Sequence, residues 1–439
     1  MRSLSENRAI LAAGLLLAGF ILFAAGHPCV SSGPALADEP AKPSWWSALR
    51  DRVLSLLGED EGPPRGPDAA ARDESLPEVY REGEYGGGVL RIVNQVPVLI
   101  LHGDPEAIAE QEAALTHDAT ANLVAAPQDF LATLAYPGGW EGLVDRGRGL
   151  WRFIPEDYRR ELTILAKKAG VSLDELLAVN ALPDMYRDLA CSSLVVLPER
   201  STTGTMLFGR NLDFFSPRQL YRYTIVKVYD QSGKRYRFAS VGFPGFIGCL
   251  SGMNEAGLCL AVHEVHLTGD GAPMFSPHGM PYAMLLRRIM EQCATVDEAV
   301  AVLRSSPRTT LLNIVLCDRR KAAVAEITPK SVEVRYAEDG LLACTNHFRT
   351  ARLRTPVLSW RYERLMEAAE LSRIDLPTLE RKLDEVNLRF LTIQSMVFDP
   401  ENLTLHLARG QPPATKRPYH RVELSQWLRK NSPASGGEK

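Results

Sequence analysis

The sequence lacks an excess of charge of either sign. Its 439 residues include 50 Lys and Arg against 53 Asp and Glu, which gives a formal net charge of −3. This balance leaves no basic surface for nucleic acid, and the chain carries no nucleic-acid recognition motif. Hydrophobic residues make up 45% of the chain, which excludes wholesale disorder. We therefore expect a globular protein whose partner is a small neutral or amphipathic molecule.

Long hydrophobic runs are also missing, with one exception near the start. An apolar run from Ala9 to Ala25 follows Arg2 and Arg8, and Ala35-Leu-Ala37 has the small-x-small pattern of a cleavage site. The run is slightly shorter than the roughly 20 residues of a membrane span. Residues 1–37 therefore predict a signal peptide, with an uncleaved anchor as the alternative. The protein is expected to be exported, to the periplasm or the cell exterior.

Few apolar residues follow this run. Residues 38–84 are rich in charge, Gly and Pro and predict a linker. Within the linker, residues 44–57 have the apolar spacing of a short amphipathic helix. This helix either rests on the outer face of a membrane or docks on the protein. At the other end of the chain, residues 426–439 predict a polar tail.

The pattern of the remaining chain changes from helices to strands. Ser172 with Glu175 predicts a capping box for a helix that ends near Asn180. Downstream, alternating apolar residues predict hairpins and further helices. The predicted hairpins pair 191–197 with 205–212, 221–229 with 235–242, and 246–253 with 257–264. Strands, then helices, then strands again predict the α+β class, with sheets covered by helical layers.

Cys191 opens the first of these strands and is the predicted nucleophile. Arg210 and Asp213 return on the next strand, which would set the thiol beside a cation and a carboxylate. Residues three apart on a strand point to opposite faces, so these two side chains converge only if a bulge intervenes. The alternatives are a buried structural thiol at Cys191 and an ordinary surface ion pair between Arg210 and Asp213.

Five short motifs follow one another in order. They are Cys191-Ser-Ser, Gly209-Arg-Asn-Leu-Asp213, Gly252-Met-Asn-Glu-Ala-Gly-Leu258, Thr345-Asn-His-Phe348 and Ser359-Trp-Arg361. This set resembles the C45 peptidase or penicillin acyltransferase-like branch of the N-terminal nucleophile (Ntn) hydrolases. Acid ceramidase, N-acylethanolamine acid amidase and choloylglycine hydrolases are relatives of that branch.

The resemblance implies a four-layer αββα sandwich with mostly antiparallel sheets. It also implies a precursor that cuts itself between Ala190 and Cys191. The chain would then consist of an upstream segment, residues 85–190, and a catalytic segment, residues 191–425. The new N-terminal amine has a reference pKa of about 8, so it can act as the base for its own thiol.

The resemblance also implies a role for each matching side chain. Arg210 would lower the pKa of the thiol, and Asp213 would orient the terminal amine. Asn254 and Asn346 would face the developing oxyanion, although Asn254 taken alone reads as a hairpin turn residue. Arg361 matches a distal arginine of the active site, with Arg364 one helical turn away as the alternative.

The chain offers no convincing cofactor or metal site. His263 and His266 are three apart on a predicted strand and face opposite ways, unlike the histidines of a zinc helix. The cysteines other than Cys29 and Cys191 are expected to be buried thiols. A disulfide between Cys249 and Cys259 is not expected.

These features together predict a self-processing amidohydrolase or acyltransferase. Its partner would be a small-molecule N-acyl amide whose acyl group passes through a thioester on Cys191, and the two fragments would stay associated. Two other hypotheses remain open. One is an inactive relative that binds an acyl ligand or a membrane, and the other is a true peptidase.

Overall fold

The computed structural model describes residues 79–133, 138–187, 189–357 and 359–429. The predicted signal peptide at 1–37, the predicted helix at 44–57, most of the predicted linker and all but four residues of the predicted tail lie outside the described residues. Of the described residues, those of 79–128 and 138–429 belong to one compact unit, and the packing and contacts below lie within it. None of the helices within the described residues has the length and apolarity to cross a bilayer.

Sixteen strands lie within the described residues. They are Gly83–Tyr85 (β1), Gly88–Val93 (β2), Val96–Gly103 (β3), Ala190–Val196 (β4), Leu207–Asp213 (β5), Ile225–Gln231 (β6), Phe238–Gly242 (β7), Ser251–Asn254 (β8), Cys259–Glu264 (β9), Leu312–Cys317 (β10), Ala322–Ile327 (β11), Val332–Tyr336 (β12), Leu341–Cys344 (β13), Thr392–Asp399 (β14), Thr404–Arg409 (β15) and His420–Glu423 (β16).

The strands form two sheets, and nearly every pair of neighbours is antiparallel. The ten-stranded sheet has the order β1-β2-β3-β6-β7-β8-β9-β10-β11-β12, and the six-stranded sheet has the order β13-β4-β5-β14-β15-β16. The exception is β3, which runs parallel to β6. The hairpins predicted between β4 and β5, β6 and β7, and β8 and β9 are confirmed.

The α-helices of the described residues number nine. They are Pro105–Thr133 (α1), Gly139–Leu150 (α2), Glu156–Ala169 (α3), Leu173–Met185 (α4), Tyr282–Gln292 (α5), Val296–Ser305 (α6), Trp360–Met366 (α7), Leu376–Glu385 (α8) and Ser425–Leu428 (α9). The predicted cap at Ser172 is present, since its hydroxyl accepts a hydrogen bond from the backbone N–H of Glu175.

Apolar side chains pack in three successive layers between four layers of secondary structure. The faces of the two sheets meet through residues such as Val228 and Phe398. The other face of the ten-stranded sheet packs on α5 and α6, and the other face of the six-stranded sheet packs on α7 and α8. Because successive side chains of a strand point to opposite faces, each strand contributes apolar residues to both faces of its sheet. The predicted αββα sandwich of the α+β class is confirmed.

The chain before Cys191 is part of the ten-stranded sheet as well as of a helical layer. It contributes β1, β2 and β3, and β3 joins the rest of the sheet through β6. The helices α1, α3 and α4 pack together and against Met284 of α5. The chain before Cys191 therefore supplies three complete strands of this sheet as well as helices that pack beside it.

Candidate active site

Cys191 is the second residue of β4, with β13 on one side and β5 on the other. Its side chain is fully buried and shares the face of β4 that turns toward the ten-stranded sheet, as Val195 does. Leu189, Leu212 and Ile393 are the fully buried apolar neighbours of the thiol. The surroundings of this sulfur are thus largely apolar, and its polar contacts come from a few side chains.

Arg210 reaches the thiol from β5. Its Nη1 lies 3.5 Å from Sγ of Cys191 and also donates to the carbonyl of Asn211 at 2.9 Å. Its Nη2 donates to the carbonyl of Val262 on the ten-stranded sheet at 3.2 Å. The guanidinium is completely buried and is held in the space between the sheets. The structure therefore brings the predicted cation to the predicted nucleophile.

The thiol of the intact chain is a weak acid. Burial raises the pKa of Cys191 to about 11, because the thiolate is poorly solvated. Arg210 opposes this shift and lowers the pKa, whereas Asp213 and Glu264 add to it. At neutral pH, Cys191 of the uncleaved chain therefore carries its proton.

Asp213 lies on the opposite face of β5 from Arg210, as strand alternation requires. The pairing of β4 with β5 is regular, so the bulge expected between these two residues is not present. Asp213 reaches Cys191 through a third side chain: its Oδ2 accepts from Nη1 of Arg361 at 3.1 Å, and the same Nη1 donates to the carbonyl of Cys191 at 3.1 Å. Its Oδ1 accepts from the hydroxyl of Thr392 at 2.5 Å. Burial raises the pKa of Asp213 to about 6, against the opposing effects of Arg361 and Thr392.

Asn346 contacts both sides of the bond that is predicted to break. Its Oδ1 accepts from the backbone N–H of Cys191 at 2.8 Å and from Nη2 of Arg361 at 2.8 Å. Its Nδ2 donates to the carbonyls of Leu189 at 3.1 Å and of Glu264 at 2.8 Å. The side-chain amide is thus positioned beside the Ala190–Cys191 peptide, although its role toward an oxyanion stays a prediction.

The choice between Arg361 and Arg364 follows from their contacts. Arg361 is the second residue of α7 and contacts Cys191, Asp213 and Asn346. Arg364 is exposed and pairs with Glu367 at 2.9 Å and with Glu385. Arg361 is therefore the arginine of this site.

Asn254 is not brought to Cys191, which corrects the sequence-based assignment. Its Nδ2 donates to the carbonyls of Met290 at 3.0 Å and Cys293 at 2.7 Å, so both amide hydrogens are used at the end of α5. Its Oδ1 accepts from two backbone N–H groups of the turn between β8 and β9. Asn254 therefore connects the turn between β8 and β9 to the end of α5, which agrees with the alternative that it is a hairpin turn residue. Neither of its amide hydrogens is left to stabilise an oxyanion.

Two polar residues near the site were not predicted from sequence. His263 of β9 is buried and contacts the hydroxyl of Ser193 at 2.9 Å through Nε2, and burial holds its pKa well below the usual range. Glu264 is buried next to it and accepts from the backbone N–H of Leu189 at 2.9 Å. Sequence alone does not reveal these positions, because the contact of His263 with β4 depends on packing between the two sheets and the contact of Glu264 with Leu189 joins distant parts of the chain.

The cysteines of the described residues are all buried free thiols. This agrees with the prediction for Cys249 and Cys259, which form no disulfide. For Cys191, Nη1 of Arg210 lies 3.5 Å from the sulfur.

Comparison with known proteins gives a family match. Residues 200–414 match the model of the acyl-coenzyme A:6-aminopenicillanic acid acyl-transferase family. That segment includes Arg210, Asp213, Asn346 and Arg361 but begins after Cys191, so the assignment of the nucleophile rests on the geometry above. This match confirms the predicted resemblance to the penicillin acyltransferase family.

Similar proteins share only part of their length with this chain. An uncharacterized protein of Archaeoglobus fulgidus is 23% identical over 270 residues, which cover 50% of this chain and 44% of that protein. Protein dcd1B of Dictyostelium discoideum is 26% identical over 187 residues, which cover 42% of this chain and 36% of that protein. The chain thus matches less than half the length of these relatives.

Among solved structures, an N-acylethanolamine-hydrolyzing acid amidase ortholog from Caenorhabditis elegans is similar to this chain. It is 18% identical with a TM-score of 0.39, and the match covers 53% of this chain and all of that one. The four-layer assignment rests on the packing of the chain itself.

Proposed function

Because residues 200–414 match the acyl-coenzyme A:6-aminopenicillanic acid acyl-transferase family, we propose that this chain is a self-processing cysteine hydrolase or acyltransferase. The observation that carries the proposal is the convergence of three side chains on Cys191. Arg210 donates to its thiol, Arg361 donates to its carbonyl oxygen, and Asn346 accepts from its backbone N–H. Few structural roles require a buried residue to be held at all three of these positions.

Self-processing begins with attack of Sγ of Cys191 on the carbonyl carbon of Ala190. The S–C bond forms, the C–N bond between the two residues breaks, and the thiol proton ends on the departing nitrogen. Water then hydrolyses the thioester, which leaves a carboxylate on Ala190 and a free amino group on Cys191. The side chains of Asn346 and Arg361 support this step, because they fix the departing nitrogen and the backbone next to it.

Turnover uses the same thiol with its new neighbour. The terminal amine, with a reference pKa of about 8, takes the thiol proton at neutral pH, directly or through water. Arg210 then stabilises the thiolate, which attacks the carbonyl carbon of an N-acyl amide and expels the protonated amine. The acyl thioester passes to water or to another amine. Hydrolysis is favoured because water is abundant.

The surroundings of Cys191 support a small apolar acyl group as substrate. Phe214, Leu220, Tyr221 and Phe243 pack at the edge of the apolar cluster around the thiol. Burial of an acyl chain there gains about 25 cal/mol for each Å² of apolar surface removed from water. The complete burial of Cys191 favours a small non-peptide amide over an extended protein chain.

The location of the enzyme and the association of its two fragments are part of the proposed function. Residues 1–37 direct export. Residues 44–57 either rest on the outer face of a membrane or dock on the folded protein. The two fragments remain associated after cleavage. The strands that the upstream segment adds to the ten-stranded sheet support the last point.

The test is the intact mass of purified exported wild type beside Cys191→Ala. We expect two wild-type fragments, one of which begins at Cys191, and a single uncleaved chain for the variant. The mass of the upstream fragment also reports whether residues 1–37 are removed. Cys191→Ser should cleave slowly, because a hydroxyl is the weaker nucleophile.

Two outcomes would favour the other hypotheses. Equal, uncleaved masses for wild type and Cys191→Ala would favour an inactive acyl-binding protein. Cleavage of casein without hydrolysis of any N-acyl amide would favour a peptidase.

A further inference from the structure

Asn313 of β10 is a fully buried residue that holds the segment carrying Asn346. Its Nδ2 donates to the carbonyl of Thr345 at 2.9 Å and to the carbonyl of His347 at 2.9 Å. These two residues stand immediately before and after Asn346 in the chain. Both amide hydrogens of Asn313 are therefore used to fix residues 345–347 on either side of Asn346.

The same segment contacts the helix that carries Arg361. The hydroxyl of Thr345 lies 3.1 Å from the hydroxyl of Ser359, which is the N-cap of α7. The ring of His347 packs edge-on against the ring of Tyr362, and the ring centroids are 5.6 Å apart. Ser359 and Tyr362 lie on either side of Arg361 in the chain. A shift of residues 345–347 would therefore move the start of α7 as well.

Asn346 and Arg361 both contact the residue after the bond that is proposed to break. Asn346 accepts from the backbone N–H of Cys191, Arg361 donates to the carbonyl of Cys191, and the two side chains contact each other at 2.8 Å. Resting on the proposed function, we propose that Asn313 is a positioning residue that aligns the side chains of Asn346 and Arg361 with the Ala190–Cys191 peptide bond. Asn313 acts through these two side chains rather than on the reacting atoms.

The contacts of Asn313 explain why an amide is needed at this position. Two carbonyl oxygens face its Nδ2, and each requires a donor. Its Oδ1 has no hydrogen-bond partner within the part of the chain that the structure describes. The side chain therefore serves as a donor of two hydrogen bonds, which a carboxylate of the same shape cannot replace.

The charged and titratable neighbours of Asn313 determine how an introduced carboxyl group would behave. Its register partners are His263 on β9 and Glu326 on β11, whose side chains share its face of the sheet. Burial holds the pKa of His263 well below its usual range and lowers the pKa of His347 to about 4, so both rings are neutral above pH 5. Glu326 accepts from Arg335 on β12. Burial, the two carbonyl oxygens and the carboxyl group of Glu326 would therefore raise the pKa of an Asp at position 313.

The first test compares rates of self-cleavage in a cell-free translation time course. Asn313→Asp removes both donors, whereas Asn313→Ser offers one shorter donor. We expect the fragments of Asn313→Asp to appear about tenfold to a hundredfold more slowly than those of the wild type, because a misplacement of about 1 Å can cost a hundredfold in rate. Asn313→Ser should lie between the two.

Asn254→Asp is the matched control, because the buried amide of Asn254 also donates to two carbonyls, but at the end of α5 and away from Cys191. Chains of this variant that have folded, as judged by their resistance to protease, should cleave at the wild-type rate.

The pH dependence separates positioning from a general loss of packing. A protonated carboxyl group at position 313 can donate to one carbonyl, whereas the ionised group can donate to neither, and the hydroxyl of Ser does not titrate. Uncleaved chains of both Asn313 variants are diluted from the translation mixture into buffers between pH 5.5 and pH 8. We expect the rate of Asn313→Asp relative to Asn313→Ser to rise by about twofold to tenfold as the pH falls, the range for one hydrogen bond.

The outcomes distinguish this inference from the proposed function. Cleavage of Asn313→Asp at the wild-type rate would overturn the inference, as would equal slowing of folded Asn254→Asp or a ratio that does not change with pH. If Asn313→Asp does not fold, the wild-type rate in Asn313→Ser would overturn it. Each of these results includes a wild type that cleaves, so the proposed function would stand. An uncleaved wild type would overturn the proposed function, and the inference with it.

Discussion

Arg361 and Arg364 stand one helical turn apart on the same short helix and differ in what they contact. Arg361 bridges the carbonyl of Cys191, Asp213 and Asn346, whereas Arg364 pairs with glutamates at the surface. Each hydrogen bond to a charged group contributes about 1.5–3 kcal/mol. We therefore expect Arg361→Ala to slow self-cleavage by about tenfold to a hundredfold or more, measured as the appearance of fragments in a cell-free translation time course.

Arg364→Ala is the matched control and should cleave at the wild-type rate. Arg361→Lys should recover only part of the loss, since an ammonium group cannot match the planar fork of a guanidinium. Equal rates for Arg361→Ala and Arg364→Ala would contradict the assignment of Arg361 to this site.

Most residues of the site could be predicted from the order of motifs, but not their hydrogen bonds. Cys191, Arg210, Asp213 and Arg361 were predicted and are brought together. Asn254 was misassigned because its motif does not reveal that its amide hydrogens are donated to the end of α5. The position of Glu264 beside Leu189 was missed because this contact joins two distant parts of the chain.

Between secondary-structure elements, the side chain of Asp184 in α4 stabilises the start of α5. It lies in α4 and accepts from the backbone N–H of Tyr282, the first residue of α5, at 3.1 Å, and also from the hydroxyl of Thr309. Burial raises the pKa of Asp184 to about 7, although both hydrogen bonds and Arg187 act to lower it. The folded state therefore favours the protonated carboxyl group.

This shift predicts how stability depends on pH. Because the folded pKa is raised above the unfolded value of 3.8, the stabilisation is fully present below about pH 4 and is lost as the pH rises through about 7. Asp184→Asn cannot ionise and should remove this part of the dependence. At pH 8 we expect it to equal or exceed the parent in free energy of unfolding, by up to a few kcal/mol.

The measurement is urea unfolding between pH 4 and pH 8, with Cys191→Ala as the uncleaved parent. Asp213 also has a raised pKa, about 6, so the difference between the two curves isolates Asp184. Asp118→Asn, an exposed substitution on α1, should leave the curve of the parent unchanged. Parallel curves for Asp184→Asn and its parent would contradict the prediction.

Elements with strong local signals were predicted, and those that depend on distant partners were not. Strand alternation located the downstream hairpins, and the cap Ser172 located a helix start. The helix α1 continues to Thr133 past a bend at Thr116, and its length is hard to predict because it contains Pro127, which is typical of a helix end. The helix α2 was missed because glycines interrupt its apolar pattern. The parallel pairing of β3 with β6 joins strands more than a hundred residues apart, which no local pattern reveals.

At the scale of the whole molecule, buried ion pairs join the two segments that self-cleavage would separate. Lys227 of the catalytic segment lies 3.2 Å from Glu112 of the upstream segment, and both side chains are buried. Arg287 pairs in the same way with Glu161 at 2.7 Å. Loss of one partner leaves a buried charge without compensation, which costs about 3–5 kcal/mol. These pairs therefore couple the stability of each segment to the presence of the other.

Lys227→Met tests this coupling, because it removes the cation and leaves Glu112 buried. We expect it to lower the free energy of unfolding by about 3–5 kcal/mol and to weaken co-elution of the fragments on gel filtration in mild urea. Adding Glu112→Gln should restore at least half of the loss, since neither charge then remains buried. Lys168→Met, which breaks the exposed pair with Glu110, should change little because water and salt already screen it. Equal effects of Lys227→Met with and without Glu112→Gln would mean that the two side chains are not coupled and would contradict the prediction.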